Sequence, residues 1–154
     1  MWLDKHLRHR RGYGVHSPFL YRIIREALMQ RNVVGGERGL YDELRRRGIN
    51  KATAARLQNL CTLECEGMWC IDRVADGEEL AIATEGCAES IVRAMVNRLS
   101  QGDGMVVVLH SWGNRSRRKV CKELVETHNS MSASDLSITL YFSHKGLQKQ
   151  HIVI

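Results

Sequence analysis

Proline occurs once in the 154 residues, and aromatic side chains make up only 6%. A single proline excludes collagen-like and proline-rich disordered chains. Long hydrophobic runs are missing too. The longest convincing one covers residues 105–109, far short of the ~20 apolar residues of a membrane-spanning helix. The first residues, Met1-Trp2-Leu3-Asp4-Lys5, hold no apolar signal-peptide core. A cytoplasmic protein with no membrane partner is the expectation.

Cysteine is present but lacks a metal-binding pattern. Cys61, Cys65, Cys70, Cys87 and Cys121 are odd in number, and Cys61-x3-Cys65-x4-Cys70 has no C-x2-C pair and no nearby histidine. Reduced, buried thiols are expected, with no structural metal. His6 and His9 would need further ligands supplied by folding.

What is there suits one folded domain. Apolar residues are 44% and charged residues 26%, and a chain of this length hides roughly 68–70% of its unfolded surface. The net charge of +6 is unevenly placed: residues 1–60 hold 13 Lys and Arg against 5 Asp and Glu, and the rest hold 10 against 12. A basic half suits a polyanion or an acidic partner.

No internal repeat is visible. Residues 1–61 read as a basic helical segment. Ser17 before Pro18 is a helix start, with Leu20, Ile23, Ile24, Ala27 and Leu28 at helical spacing. A second helix is predicted over 38–47, ended by Gly48, and a third over 51–61, capped by Asn50. Residues 68–154 read as α/β: strands at 68–72, 80–84, 105–109, 136–142 and 150–154, and helices at 88–99 and 115–127. Alternating strands and helices imply crossovers and parallel pairing. The short gap between the last two strands predicts an antiparallel hairpin. The expected fold is α/β: a three-layer, Rossmann-like mixed sheet with a helical N-terminal extension.

The residues Gly14-Val15-His16-Ser17-Pro18-Phe19 resemble the HGxHSPF start of a bacterial group related to class I S-adenosylmethionine-dependent methyltransferases. Residues 80–90 are similar to that group's fourth strand and turn. Residues 105–116, with Leu109-His110-Ser111-Trp112, resemble its fifth strand, and residues 138–142 and 150–154 its closing antiparallel hairpin. The resemblance implies a methyltransferase-like sheet. It also implies a glycine-rich turn after the first strand and an acidic residue after the second to hold the cofactor, and neither is found. Gly12 and Gly14 follow no strand, Gly35, Gly36 and Gly39 join helices, and Gly102 and Gly104 lead into a strand. Residues 62–79 are too short for two βα units of about 30 residues each. The expectation is a shortened relative without the cofactor half, so that S-adenosylmethionine is not bound and fold does not carry function.

Ligands of open α/β sheets sit beyond the C-terminal strand ends. Glu85 and Cys87 follow one such strand and His110 the next, so a Cys87–His110 dyad is a catalytic candidate. An anion site near Gly113–Arg117, with Arg115, is a second candidate. Arg8, Arg10 and Arg11 with Tyr13, and the cluster Arg45, Arg46 and Arg47, are candidates for binding nucleic acid or another polyanion. Arg45–Arg47 also complements a helix C-terminus, and His16 also reads as a buried, hydrogen-bonded histidine. The leading expectation is a non-catalytic binding protein, with nucleic acid, another polyanion or a protein as partner. Residual methyl transfer or Cys/His chemistry is the enzymatic alternative. Residues 150–154 read as an exposed apolar edge that invites a homodimer.

Overall fold

The computed structural model describes residues 17–144 and 146–154. The chain divides into two compact units, one reaching to Gly67 and including Ile154, the other Met68–Val153.

The first unit is helical. Helix α1, Pro18–Ile23, starts where expected: the Ser17 hydroxyl accepts from Leu20 N–H at 3.3 Å, and Pro18 occupies a first-turn position that needs no donor. The predicted helix does not continue as an α-helix. Ile24–Leu28 is a π-helical turn, and Met29 N–H reaches back five residues to the Ile24 carbonyl at 2.9 Å. Ile23, Ile24, Ala27 and Leu28 are buried in either geometry, so apolar spacing alone could not separate the two. Helix α2, Gly39–Arg46, buries Leu40 and Leu44. Gly48 follows with φ of +86°, a left-handed conformation that glycine adopts without strain. Helix α3, Lys51–Glu64, is one turn longer than predicted and is capped by Asn50, which accepts from Thr53 N–H at 2.9 Å.

Two amides on α3 tie this unit together. Asn59 is 4% exposed; its oxygen accepts from Val34 N–H at 2.8 Å and its nitrogen donates to the Asn32 carbonyl at 2.9 Å. Gln58 accepts from Tyr41 N–H at 3.0 Å and donates to Thr62 Oγ1 at 3.0 Å. Buried side-chain amides thus satisfy backbone groups of the loop and of α2 that would otherwise be stranded.

The second unit is built on one six-stranded mixed sheet. Its strands are β1 Trp69–Ile71, β2 Leu80–Ala83, β3 Gly104–Leu109, β4 Met131–Ser134, β5 Ile138–Ser143 and β6 Gln150–Val153, in the order β1-β2-β3-β5-β4-β6. Helix α4, Glu89–Arg98, links β2 to β3, and helix α5, Arg115–Thr127, links β3 to β4. One sheet face carries Ala81, Ala83, Val106, Val108 and Tyr141. These pack in one core with Val92, Met95 and Val96 of α4 and Val120, Cys121 and Leu124 of α5. The opposite face carries Leu80, Ile82, Val107, Leu140 and Phe142, all fully buried. A sheet buried on both faces explains the continuous apolar run of β3. The α/β, Rossmann-like architecture is as expected.

The hairpin is not. Strand β4 has no counterpart among the predicted strands, and β5 pairs antiparallel with β3 and with β4, whereas β6 pairs parallel with β4. The antiparallel hairpin is therefore β4–β5, and residues 138–143 and 150–153 are not neighbours. The reason is the sequence of β4, Met-Ser-Ala-Ser, which has little apolar signal. Its serines are satisfied across the ladder: Ser132 Oγ lies 2.8 Å from His151 Nδ1, and Ser134 Oγ lies 3.1 Å from His151 Nε2. Strand β6 is an edge, but Gln150 and His151 are its exposed positions and Ile152 is 8% exposed. Ile152 and Ile154 are buried and Val153 is half-buried.

Strands β1 and β2 are parallel neighbours joined by only eight residues, with no helix. Parallel strands usually need a crossover of a dozen residues or more. Here both strands are so short that eight residues, reaching at most ~27 Å, suffice for the return.

Candidate functional site at the C-terminal edge of the sheet

Strands β2 and β3 are parallel partners, so their C-terminal ends emerge together. This places Glu85, Cys87 and His110 along one edge, as their positions after the two strands led us to expect. Asn114 caps α5 by accepting from Arg117 N–H at 3.1 Å. Between the two loops lies a crevice of about 210 Å³, lined by residues that include Glu85, Cys87, Glu89, Asn114 and Arg117.

Arg117 dominates this edge. Its side chain is 7% exposed, and Nη2 donates to the carbonyls of Thr84 at 3.4 Å, Glu85 at 2.9 Å and Cys87 at 2.5 Å. Nη1 is buried without a hydrogen-bond partner. The guanidinium therefore holds the β2–α4 loop from inside and turns its donors on the chain's own backbone. Within the segment Gly113–Arg117, where an anion site is expected, Arg117 is a strut and Arg115 is exposed. The signal was in the helical spacing. Arg117, Val120, Cys121 and Leu124 recur at i, i+3, i+4 and i+7, the buried face of α5.

Cys87 and His110 share no hydrogen bond. Cys87 is 7% exposed, and burial pushes its thiol up to about 11, with the Asp72 carboxylate acting in the same direction. A thiol so placed stays protonated at neutral pH and is a poor nucleophile. Sequence reasoning missed Asp72. It sits just after β1 with φ of +56° and accepts from Thr84 N–H at 2.7 Å and Thr84 Oγ1 at 2.6 Å. Only the parallel pairing of β1 and β2 brings it there, so no local motif announced it.

His110 is engaged elsewhere. It is 5% exposed, its Nε2 lies 2.9 Å from Thr139 Oγ1, and its Nδ1 is buried without a hydrogen-bond partner. Burial lowers its pKa below the ordinary 6.5. Protonation is then easier in the unfolded chain than in the folded one. Stability is full above about pH 6.5 and falls as the pH drops through and below that value. We expect denaturation midpoints measured between pH 7.5 and 5 to decline, at up to about 1.4 kcal/mol per pH unit for this group. The decline should be shallower in His110→Gln; an identical slope in that variant would remove His110 from the account.

The other basic candidates are less free than the sequence suggests. Arg46 and Arg47 both pair with Glu43, at 2.5 and 2.9 Å, and Arg45 Nη1 donates to the Ile49 carbonyl at 2.8 Å. Such exposed pairs contribute little stability, but they partly neutralise the cluster. His6, Arg8, His9, Arg10, Arg11, Tyr13 and His16 lie outside the described residues. All five cysteines are buried and none is in a disulfide. Among the described residues no group of three potential ligands comes together for a metal, and no helix is long and apolar enough to cross a membrane.

Among the described residues, β1 runs through an eight-residue loop straight into β2, with no helix between them. In comparisons with known proteins, no family model, curated protein or solved structure matches this chain.

Proposed function

We propose that this chain is a non-catalytic binding protein with a shortened methyltransferase-like sheet, and that its ligand is a polyanion. The observation that carries the reading is the state of the C-terminal edge. Where a Rossmann-like sheet presents its chemistry, this chain places a protonated thiol beside a carboxylate and an arginine committed to backbone carbonyls. The Cys87 thiol there stays protonated at neutral pH and is a poor nucleophile. The charge balance of the first sixty residues, 13 cations against 5 anions, supports a polyanionic partner.

Three measurements test this reading. Cys87 should react with iodoacetamide at pH 8 roughly a hundredfold more slowly than a thiol with the ordinary pKa of 9, because its thiolate fraction is lower by about two powers of ten. Reaction at the unfolded-thiol rate would reopen the enzymatic alternative. Excess S-adenosylmethionine should leave the denaturation midpoint unchanged, whereas a ligand at 100 times its Kd adds about 2.7 kcal/mol. For the ligand class, labelled polyanions titrated at low and near-physiological salt should bind with affinity that falls steeply as salt rises. No binding even at low salt would overturn the polyanion reading.

A further inference from the structure

Helix α5 has a second face, opposite the buried one. Arg115, Arg118, Lys119 and Lys122 recur at i, i+3, i+4 and i+7, so four cations share one stripe of about 10 Å along the helix. Arg115, Lys119 and Lys122 are exposed. Glu126 stands on the same face one turn further on, and Lys149 Nζ donates to its carbonyl at 2.6 Å, which brings another cation to that end. At the head of the stripe, in the β3–α5 loop, stands Trp112. It is 60% exposed, the most exposed large apolar side chain among the described residues. The Arg118 guanidinium stacks on its ring at 4.5 Å from the centroid. The ring thus carries a cation, and 60% of the residue is exposed to solvent. Leu136, half exposed, belongs to the neighbouring β4–β5 turn, whose Ser137 carbonyl accepts from His110 N–H at 2.9 Å.

An indole held by a guanidinium beside a row of cations has the two elements that recognise an unpaired nucleotide strand: a stacking platform for a base and charges for the phosphates. A duplex offers the second only, because its bases are already stacked. An acidic protein has no use for the first. We infer that Trp112 and the Arg115–Arg118–Lys119–Lys122 face form a seat for single-stranded nucleic acid, with a base on the indole and the backbone along α5. This rests on the polyanion reading and names its ligand and its place.

The test is fluorescence anisotropy with a labelled single-stranded oligonucleotide, a duplex of the same length and poly-glutamate, over a series of salt concentrations. Trp112→Ala is expected to weaken single-strand binding tenfold to a hundredfold and to leave duplex affinity nearly unchanged. Trp112→Phe should recover part of the loss. Replacing Arg115, Lys119 and Lys122 with serine should reduce the slope of log K against log salt by about 2 for the single strand, since each phosphate neutralised adds roughly 0.7 to it. Trp112 and the three cations are exposed, and the circular dichroism of each variant should match that of the parent. Single-strand binding that survives both sets of substitutions but is lost in the Arg8, Arg10 and Arg11 variant would overturn this seat while leaving the polyanion reading intact. Poly-glutamate binding as tightly as the oligonucleotide, with Trp112→Ala silent, would make the partner an acidic protein. Absence of binding to every polyanion at low salt would overturn both.

Discussion

Replacing Arg117 with methionine is expected to destabilise the protein by about 3 kcal/mol or more, and to lower Tm by roughly 6–12 °C. The size follows from what remains behind. The guanidinium serves the carbonyls of Thr84, Glu85 and Cys87 from a side chain 7% exposed. A buried ion pair replaced on both sides by apolar groups is often neutral or better. That escape is closed here, because the partners are backbone oxygens that no substitution removes. The Thr84 carbonyl keeps a second donor, the Cys87 N–H at 3.0 Å, but the Glu85 and Cys87 carbonyls lose theirs, and an acceptor left buried without a donor costs about 1–3 kcal/mol. Arg117→Lys keeps the charge but replaces a planar fork with a point charge, so it should recover only part of the loss. Arg115→Met, two residues away and exposed, should stay within about 0.5 kcal/mol of the parent. Thermal and urea denaturation of the three variants decide it. Similar midpoints for Arg117→Met and Arg115→Met would mean that the loop does not depend on this strut.

That contrast also marks what could be read without coordinates. The run Arg-Ser-Arg-Arg-Lys reads as one basic patch, but the 3.6-residue period separates it into a buried Arg117 and an outer stripe. Helix α5 itself was legible at both ends, and so were the caps at Ser17 and Asn50, because local hydrogen bonding and periodicity determine them. Strand β3 announced itself through five consecutive apolar residues. Strand β4 did not, because its small residues are accommodated by His151, a partner 17–19 positions away. Without β4, β6 is the strand nearest to β5 in sequence, which makes β5–β6 the expected hairpin in place of β4–β5. The π-helical turn escaped for another reason: its apolar residues fit an α-helix equally well. At the candidate site, the shared edge of Cys87 and His110 followed from strand order. What each side chain faces there did not. Asp72 beside Cys87 and Thr139 beside His110 are consequences of pairing between distant strands.

Asp72 carries the second large effect, and one residue there combines three separable terms. Its carboxylate accepts two hydrogen bonds from Thr84, at 2.7 and 2.6 Å, tying the end of β1 to the end of β2. Bonds to a charged group contribute about 1.5–3 kcal/mol each. Its φ of +56° adds a conformational demand that alanine meets only at about 1–2 kcal/mol and glycine meets freely. Asp72→Ala should therefore lose about 4 kcal/mol or more, and Asp72→Gly about 1 kcal/mol less than that. Asp72→Asn tolerates the left-handed backbone and keeps one acceptor oxygen, so it should lose the least. The third term is chemical. Burial is the larger reason that the Cys87 thiol resists ionisation, and the Asp72 carboxylate adds to it. Removing the charge without removing the burial should lower the Cys87 pKa from about 11 without returning it to 9. Alkylation of Asp72→Asn across pH 8–11 should show an earlier rise than in the parent, at unchanged fold by circular dichroism. If the rise does not move, the carboxylate is not what keeps Cys87 protonated. Burial alone would then account for the inert thiol, and the β1–β2 junction would be a structural tie with no influence on the chemistry of the edge.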